Sequence, residues 1–540
     1  MRLVLPDIPD AECTPLVRQL LEIIYLQHER IEQFEERVHQ LEDEIARLKG
    51  LKARPRIAPS TLETTPRPPR DPDAKRPGSA KRSKTAELTI TAEKFIPLVD
   101  KPPGSIFRGY EDFVVQDLEL KPRVTRYRRE RWLTPDGQNV VAPLPADVLP
   151  GSHFGPDLIC YVLHQYHNQH VTQPLLLEQL RQLGIDISAG ELSRILTEGK
   201  DTFHQEKAEL LPTGLAVSSY VQVDDTGARH QGHNGSCTHI GNELFAYFAS
   251  TESKSRLNFL DIIRRPHTDY WINKQAVAHW HRQRLPAEVI HKLRRGPKTF
   301  ADSTAWRSRL RQLGITRPRH IQIATEGALL GSLIAHGVSP ELVILSDGAE
   351  QYDVLVHAAC WLHAERPLAR LIAYSDEHSA AIAKVRGQIW ELYQDLKEYR
   401  QGPEPSRRSD LEARFDALCT QRTGFPSIDG VLKTMRSHRA ALLLVLDRPE
   451  VPLHNNLSEG HLRDYVKKRK ISGSTRSDLG RAARDTFASL KKTCRRLGVN
   501  FWAYLQDRVR SEGQIPRLAD LIRQKAKEMA ARKAVAASQA

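Results

Sequence analysis

The stretch Ser219-Tyr220-Val221-Gln222-Val223-Asp224-Asp225-Thr226-Gly227 alternates apolar and polar side chains and runs into a pair of carboxylates. Alternation with period two marks a strand buried on one face, and Asp followed by Thr and Gly is ordinary turn chemistry. A second run, Glu243-Leu244-Phe245-Ala246-Tyr247-Phe248-Ala249, reads as a strand and is expected as its antiparallel neighbour. Much later, Leu342-Val343-Ile344-Leu345 is short and wholly apolar, the pattern of a fully buried strand, and ends at Ser346-Asp347-Gly348. A third acid, Glu459, follows His454-Asn455-Asn456-Leu457-Ser458 at the opening of a helix that continues past residue 470. Two strands that each end in an aspartate, with a glutamate on a later helix, can bring three carboxylates to one spot.

Three carboxylates within ~4 Å repel one another by on the order of 1–4 kcal/mol per pair. They stay ionised together only around a divalent cation, and hard oxygen ligands select Mg²⁺ or Mn²⁺. Two such ions would stabilise both the attacking and the leaving oxygen of an in-line phosphoryl displacement. Each acid also has an ordinary reading. Asp224 and Asp347 can simply terminate strands, and Glu459 stands three residues after Asn456, a capping-box spacing. The neighbourhood tips the balance: residues 463–496 hold 12 Lys and Arg against 3 Asp and Glu. A carboxylate cluster beside such a stripe suits a nucleic-acid strand lying across a metal site. The stripe nominates Arg463, Lys467, Lys468, Arg469, Lys470 and Arg476 as phosphate contacts.

Outward from this core, the rest of the 540 residues divides by composition. The whole chain carries 80 Lys and Arg against 66 Asp and Glu, a net charge of +14, which favours a polyanionic partner. Val17, Ile24, Ile31, Val38 and Ile45 recur every seven residues, with Leu20, Gln27, Phe34, Leu41 and Leu48 three places on. β-Branched residues in the first series and mostly Leu in the second predict a parallel two-stranded coiled coil over 14–50, and hence a homodimer or higher oligomer. The alternative is an amphipathic helix packed on its own domain. Residues 51–104 form a Pro-rich linker, with 10 Lys and Arg against 4 Asp and Glu between 51 and 90. Alternation and a Pro-Asp-Gly turn predict a small β-rich module over 105–150. Within 151–205, a helix to about Leu183, a turn at Gly184 and a second helix capped by Ser188 match a helix-turn-helix, with Ser188 and Arg194 on the second helix. Such helical hairpins also occur in ordinary cores. Six widely spaced cysteines with no Cys-x-x-Cys exclude a disulfide framework and suit a reducing cytoplasm. Neither a signal peptide nor an apolar run long enough for a membrane span is expected.

Several segments together resemble a DDE transposase of the insertion-sequence-66 family. VQVDDTGARH (221–230) resembles the family's first-aspartate strand, and ILSDGAEQYD (344–353) its second-aspartate segment. CWLHAERPLARL (360–371) is similar to its Cys-x-x-His segment. HNNLSEGHLRDYVKKRKISGSTRS (454–477), continuing to FASLKKTCRRLGVNFWAYL (487–505), is similar to the Asn-Asn-x-x-Glu block, its Arg-Lys pair and its closing helix. The resemblance implies a multidomain α/β protein whose RNase H-like catalytic domain spans 215–500. Helical insertions fall near 266–335 and 377–447, and a helical tail covers 501–540. It implies metal binding and catalysis by Asp224, Asp347 and Glu459, with Asp225 in reserve, and phosphate contacts by Arg469 and Lys470. Cys360 and His363 share one helix face; two ligands cannot fill a tetrahedral zinc site, so packing or hydrogen bonding near the site is expected. The family's cysteine zinc module has no counterpart, because residues 51–159 contain no cysteine; the β-rich module stands in its position.

The function so implied is an Mg²⁺- or Mn²⁺-dependent transposase that binds terminal inverted repeats, cuts DNA and joins 3′-hydroxyls to target DNA. It would work in the cytoplasm at the nucleoid, as an oligomer, with small accessory proteins of the same element as possible partners. Two alternatives remain: a non-catalytic dimeric DNA-binding regulator, and a structure-specific nuclease with the same metal chemistry.

Overall fold

The computed structural model of the chain describes Thr14, Leu16, Val17, Leu20, Ile24 and Gln27, and residues 88–145, 148, 151–373 and 375–539. Leu16, Val17, Leu20, Ile24 and Gln27 are helical. The rest of the expected coiled coil over 14–50, and the linker as far as residue 87, lie outside the described residues. The chain divides into two compact units, one of residues 1–66, 364–395 and 409–437, the other of residues 67–363, 396–408 and 438–540.

In the larger unit, residues 88–130 form neither helix nor strand, and nearly all their side chains are exposed. They lead into an antiparallel ribbon of β1 (Arg131–Leu133) and β2 (Asn139–Val141), closed by the turn at Gly137. The β-rich module expected over 105–150 therefore reduces to two short strands. Every side chain of both is exposed, so the alternating pattern finds no second layer to bury against. Helix α1 (Pro156–Leu163) passes through a π-helical turn at His164–Asn168 to α2 (Gln173–Gln182), α3 (Ala189–Thr197) and α4 (Asp201–Val217). Gly184, at φ +82°, turns the chain out of α2. Ser188 accepts the Glu191 N–H at 3.1 Å and starts α3, so the helix, turn and cap fall where the sequence puts them. Leu176, Leu180, Leu192, Ile195 and Leu196 join the same apolar core as the central sheet, so this helical hairpin is no separate domain.

Strand β3 (Tyr220–His230) turns into β4 (His233–Gly241) through Gln231 and Gly232, both at positive φ, the two-residue hairpin that matches strand twist. β5 (Ala246–Thr251) follows across a turn so tight that a Cβ on Gly241 would stand 2.3 Å from the Phe245 carbonyl oxygen. Next come α5 (Arg256–Ile263), the ribbon strand β6 (Tyr270–Trp271), α6 (Lys274–Arg282), α7 (Ala287–Arg294), the ribbon strand β7 (Thr299–Phe300), α8 (Ser303–Gln312) and α9 (Pro318–Ala335). These helices occupy the expected insertion near 266–335. β8 (Val343–Ser346) and β9 (Val356–Ala359) complete a mixed sheet of order β5-β4-β3-β8-β9, antiparallel on the β4 side of β3 and parallel on the β8 side. The expected neighbour of β3 was the apolar run now found in β5. Instead the hydrophilic stretch 233–241 intervenes, because pairing on both sides buries its backbone whatever its side chains.

α10 (Trp361–Arg370), α11 (Asp376–Tyr399), α12 (Pro405–Thr420), α13 (Pro426–Ser437) and the short α14 (Arg439–Leu442) follow, the last four within the stretch 376–442. Within the smaller unit, α11 buries Ile382, Val385, Ile389 and Leu392 at helical spacing, and His378 stacks on Phe425. Arg386 pairs with Glu365, and Arg414 with Asp395 at 2.6 Å.

The larger unit closes with α15 (Asn456–Ser472), α16 (Asp478–Leu497), α17 (Phe501–Arg510) and α18 (Leu518–Gln539). Helix α16 covers the free edge of β5. Thr493 Oγ1, Ser489 Oγ and Asp485 Oδ2 accept the N–H groups of Ala246, Phe248 and Ser250 at 3.1, 2.9 and 2.7 Å. Four residues of helix rise about 6 Å and two of strand about 6.8 Å, so the steps match and the edge is satisfied. The tail expected as a separate segment from 501 is part of this core, since Tyr504, Leu505, Leu518 and Ile522 are fully buried in it. Glu206 of α4 fixes it there, accepting from Tyr504 at 2.9 Å, from Arg508 at 2.8 and 3.0 Å, and from the Leu518 N–H at 2.9 Å. Among the described residues no helix is long and apolar enough to cross a membrane.

Candidate active site

Register sets where the two aspartates fall. β3 and β8 pair in parallel as Tyr220 with Val343, Val221 with Ile344 and Gln222 with Leu345. Carried two residues past the last pair, the same offset runs from Asp224 to Asp347, which follows directly on the end of β8 at Ser346. Asp224 does not end its strand as the sequence suggested. β3 continues to His230 against β4, and Asp224 sits where β3 parts from β8. Val223 and Ile240 face the main core on one side of the sheet. Asp224 and its partner His239 face the other side, where α15 packs its Leu462 and Tyr465 on Phe248.

α15 delivers Glu459. Its first turn is held by Asn455, which donates from Nδ2 to the Val223 carbonyl at 2.8 Å, one residue before Asp224. The Asn455 N–H donates to the Cys360 thiol at 3.3 Å. The capping box read from Asn456 and Glu459 does not form: Asn456 is already the first helical residue, and Asn455, in the cap position, gives no side-chain cap and spends its amide on the strand. A second clamp joins α15 to β4. Arg496 donates to His461 Nε2 at 2.9 Å, His461 Nδ1 stands 2.8 Å from His239 Nε2, and His239 Nδ1 stands 2.7 Å from Ser458 Oγ. Burial, with Arg496 and Lys492 nearby, drives the His461 imidazole down to about 3, and burial first of all lowers His239 too. Both rings are neutral, so the Arg496 donor fixes the tautomers: His461 donates to His239, and His239 to Ser458. Sequence reasoning missed His239, because its stretch reads as a hydrophilic connection, and it passed over Asn455 and His461 inside the block that carries Glu459.

Burial pushes the Asp224 carboxyl up to about 7. The Asp225 N–H, 2.8 Å from Asp224 Oδ1, works against that rise, while the charges of Asp347, Asp225 and Glu459 add to it. Asp224 thus feels the charges of both other candidate acids. Asp347 is exposed and accepts the Ala349 N–H at 3.0 Å. Glu459 lies 3.6 Å from His363 Nε2 and 3.3 Å from Arg463. Among the described residues no three His, Cys, Asp or Glu side chains are drawn in closely enough to hold a metal ion as they stand. The chemistry of the donors nonetheless fits a hard divalent cation. They are carboxylate oxygens, and Asp224 is raised by burial and further by its acidic neighbours, a cost that a cation would offset.

The other sequence candidates sort by burial. Asp225 points away from this cluster and accepts from Tyr352 at 2.7 Å and Gln351 at 3.1 Å, with Lys254 paired to its other oxygen. It ties down the loop that carries Asp347. Cys360 is buried, its thiol pushed by burial up to about 11, and serves as the acceptor for Asn455. Arg463, Lys467 and Lys470 are exposed at spacings of four and three, continuing the helix face of Glu459. Arg469 is half-buried, its guanidinium against Gly227 of β3. Lys468 belongs to the core. Only 5% exposed, it donates to the Tyr166 carbonyl at 2.7 Å over the Tyr166 ring, and burial lowers its ammonium to about 7. Arg476 is exposed on a loop fastened to the β3–β4 hairpin, where the Gln231 N–H donates to the Thr475 carbonyl at 2.9 Å. Ser188 and Arg194 are exposed on α3, and Arg194 pairs with Glu191.

The fold and site together define a mixed α/β domain in which the half-buried Asp224 feels the charges of Asp347 and Glu459, beside a basic helix face. Residues 333–483, which include Asp347 and Glu459, match the family model described as Transposase IS66 family. A relative from Sinorhizobium fredii (strain NBRC 101917 / NGR234), called uncharacterized protein y4jO, is 39% identical over 321 residues, 59% of this chain and 100% of its own length. The chain belongs to the IS66 transposase family.

Proposed function

We propose that the protein is a metal-dependent DNA transposase whose RNase H-like domain cuts and joins phosphodiester bonds through Asp224, Asp347 and Glu459. The sheet order, with three antiparallel strands followed by two parallel ones, supports that fold. The observation that carries the reading is Asp224 where β3 parts from β8, its carboxyl raised first by burial and further by the charges of Asp347, Asp225 and Glu459. Asp224, Asp347 and Glu459 would hold Mg²⁺ or Mn²⁺, which when bound polarises the phosphate and activates water or a 3′-hydroxyl. Asn455 and the His239–His461 pair hold Glu459 against β3. Arg463, Lys467 and Lys470 neutralise the phosphates of the strand lying along α15, and Arg469 and Arg476 extend that surface. The helical hairpin of α2 and α3 presents Ser188 and Arg194 to terminal inverted repeats. Two ends are paired by oligomerisation through the N-terminal heptads, with small accessory proteins as further partners.

Strand transfer of labelled element ends tests this. Asp224→Asn, Asp347→Asn and Glu459→Gln should each lower joined product more than about a hundredfold while leaving DNA binding in place. Full joining by any one of them overturns the triad. One observation favours a second reading, a non-catalytic DNA-binding regulator: the acids are not drawn in around a single point. Wild-type protein that binds element ends but yields neither cut nor joined product with Mg²⁺ or Mn²⁺ would support it.

A further inference from the structure

Residues 121–131, Lys-Pro-Arg-Val-Thr-Arg-Tyr-Arg-Arg-Glu-Arg, hold six basic side chains and one acid. All eleven are exposed, and until β1 begins at Arg131 the backbone forms neither helix nor strand. The segment buries nothing of its own, yet it is not placed at random. Pro122 lies against the turn between α2 and α3, 3.8 Å from where a Cβ on Gly184 would stand. Arg123 lies 3.9 Å from Asp157 at the start of α1. At its far end Trp132 donates to Glu130 at 3.0 Å, and Arg129 donates to the Ala142 carbonyl, joining the segment to the β1–β2 ribbon. An exposed basic segment is thus anchored at Gly184, four residues from Ser188, the cap of the helix that would face DNA.

We infer that residues 121–131 are an arginine arm that enters the DNA minor groove next to the major groove faced by α3. The inference rests on the DNA-binding reading above and adds to it a second reading element. A helix needs the wide major groove, whereas a bare extended chain fits the ~6 Å minor groove, where Arg is drawn to the enhanced negative potential of narrow A·T tracts. Reach agrees. Arg126 and Arg128 are four and six residues beyond the Pro122 anchor, about 13–20 Å of extended chain. Neighbouring grooves are separated by about 17 Å, half of the ~34 Å helical repeat. Arg126 and Arg128, two apart, also share one side of an extended chain.

The test uses the full chain with two labelled 30-bp duplexes, one carrying an A·T tract and one G·C-rich, titrated from 50 to 300 mM salt. The double variant R126A/R128A should flatten the slope of log K against log salt by about 1.8. It should also lose the preference for the A·T duplex, and it should resist competition by a small minor-groove ligand that displaces wild type. R463A/K467A should flatten the slope equally on both duplexes and keep the preference. Wild-type binding whose slope and preference survive R126A/R128A overturns the arm and leaves DNA binding intact. So does a double variant whose only change is in sedimentation, since the segment would then serve a protein contact. Absence of any DNA binding by wild type overturns the arm together with the reading beneath it.

Discussion

Replacing Asp224 by Asn should stabilise the larger unit at pH 8 in metal-free buffer. An ordinary aspartate titrates near 3.8, and burial, reinforced by the charges of Asp347, Asp225 and Glu459, carries this one to about 7. Raising a carboxyl that far corresponds to about 4 kcal/mol, or on the order of 2–4 kcal/mol once partial contact with water is allowed for. The sign follows from linkage. A group whose pKa is higher folded than unfolded leaves the fold at its most stable below the unfolded value. That advantage is lost as pH rises through the folded value, because the unfolded chain ionises freely while the folded one pays to do so. Asparagine never ionises. The variant should therefore match wild type near pH 4, gain on it from pH 4 to 7, and hold a constant lead above pH 7. Thermal melts in chelator at pH 4, 5, 6, 7 and 8 measure this, with an expected lead of several degrees at pH 8. Adding Mg²⁺ at pH 8 should raise the wild-type midpoint and leave the variant nearly unmoved, because a cation offsets the very charge that asparagine removes. A lead independent of pH, or a variant less stable than wild type at pH 8, would refute the burial of Asp224 and the raised carboxyl that follows from it.

Lys468→Ala should destabilise the fold by about 1–3 kcal/mol, because the Tyr166 carbonyl and ring lose their cation, with little change in the salt dependence of DNA binding. Lys470→Ala should do the reverse, keeping the urea midpoint and flattening the salt slope by about 0.9. Asn455→Ala removes the bond from α15 to the Val223 carbonyl and should lower the strand-transfer rate by about 10–100-fold with DNA affinity unchanged; an unaltered rate would mean that Glu459 needs no such alignment.

Much of this architecture was legible because local signals coincide with tertiary demands. Leu342–Leu345 had to be a buried strand, and Gly184 and Ser188 mark the end of one helix and the start of the next wherever the pair packs. What stayed hidden depends on pairing at a distance. His233–Gly241 looks like a connection because a strand buried on both edges needs only backbone partners, and its clues were the two residues Gln231 and Gly232, which can take positive φ. The β-rich module failed for the opposite reason: alternation over 107–141 is real, but no layer exists among the described residues for its apolar side chains to meet. The surroundings of Asp224 and Asp225 could not be told apart from sequence either. Adjacent strand residues face opposite ways, and only the fold shows that Tyr352 meets Asp225 on one side while α15 packs on β3.

Helix α15 shows why charge alone misleads at such a site. Ser458, His461, Leu462, Tyr465 and Lys468 are buried, while Arg463, Lys467 and Lys470 are exposed. At 100° per residue the buried set spans one side of the helix, and the exposed set falls with Glu459 on the other. Lys467 and Lys468 are neighbours of the same type, yet one faces solvent and the other fills the core. The phase is fixed by two anchors that carry no charge, Asn455 on the Val223 carbonyl and Ser458 beneath His239. Those anchors turn a run of basic residues into two surfaces. One holds the helix to the sheet, and the other extends the line of Glu459 along the path that a DNA strand would take.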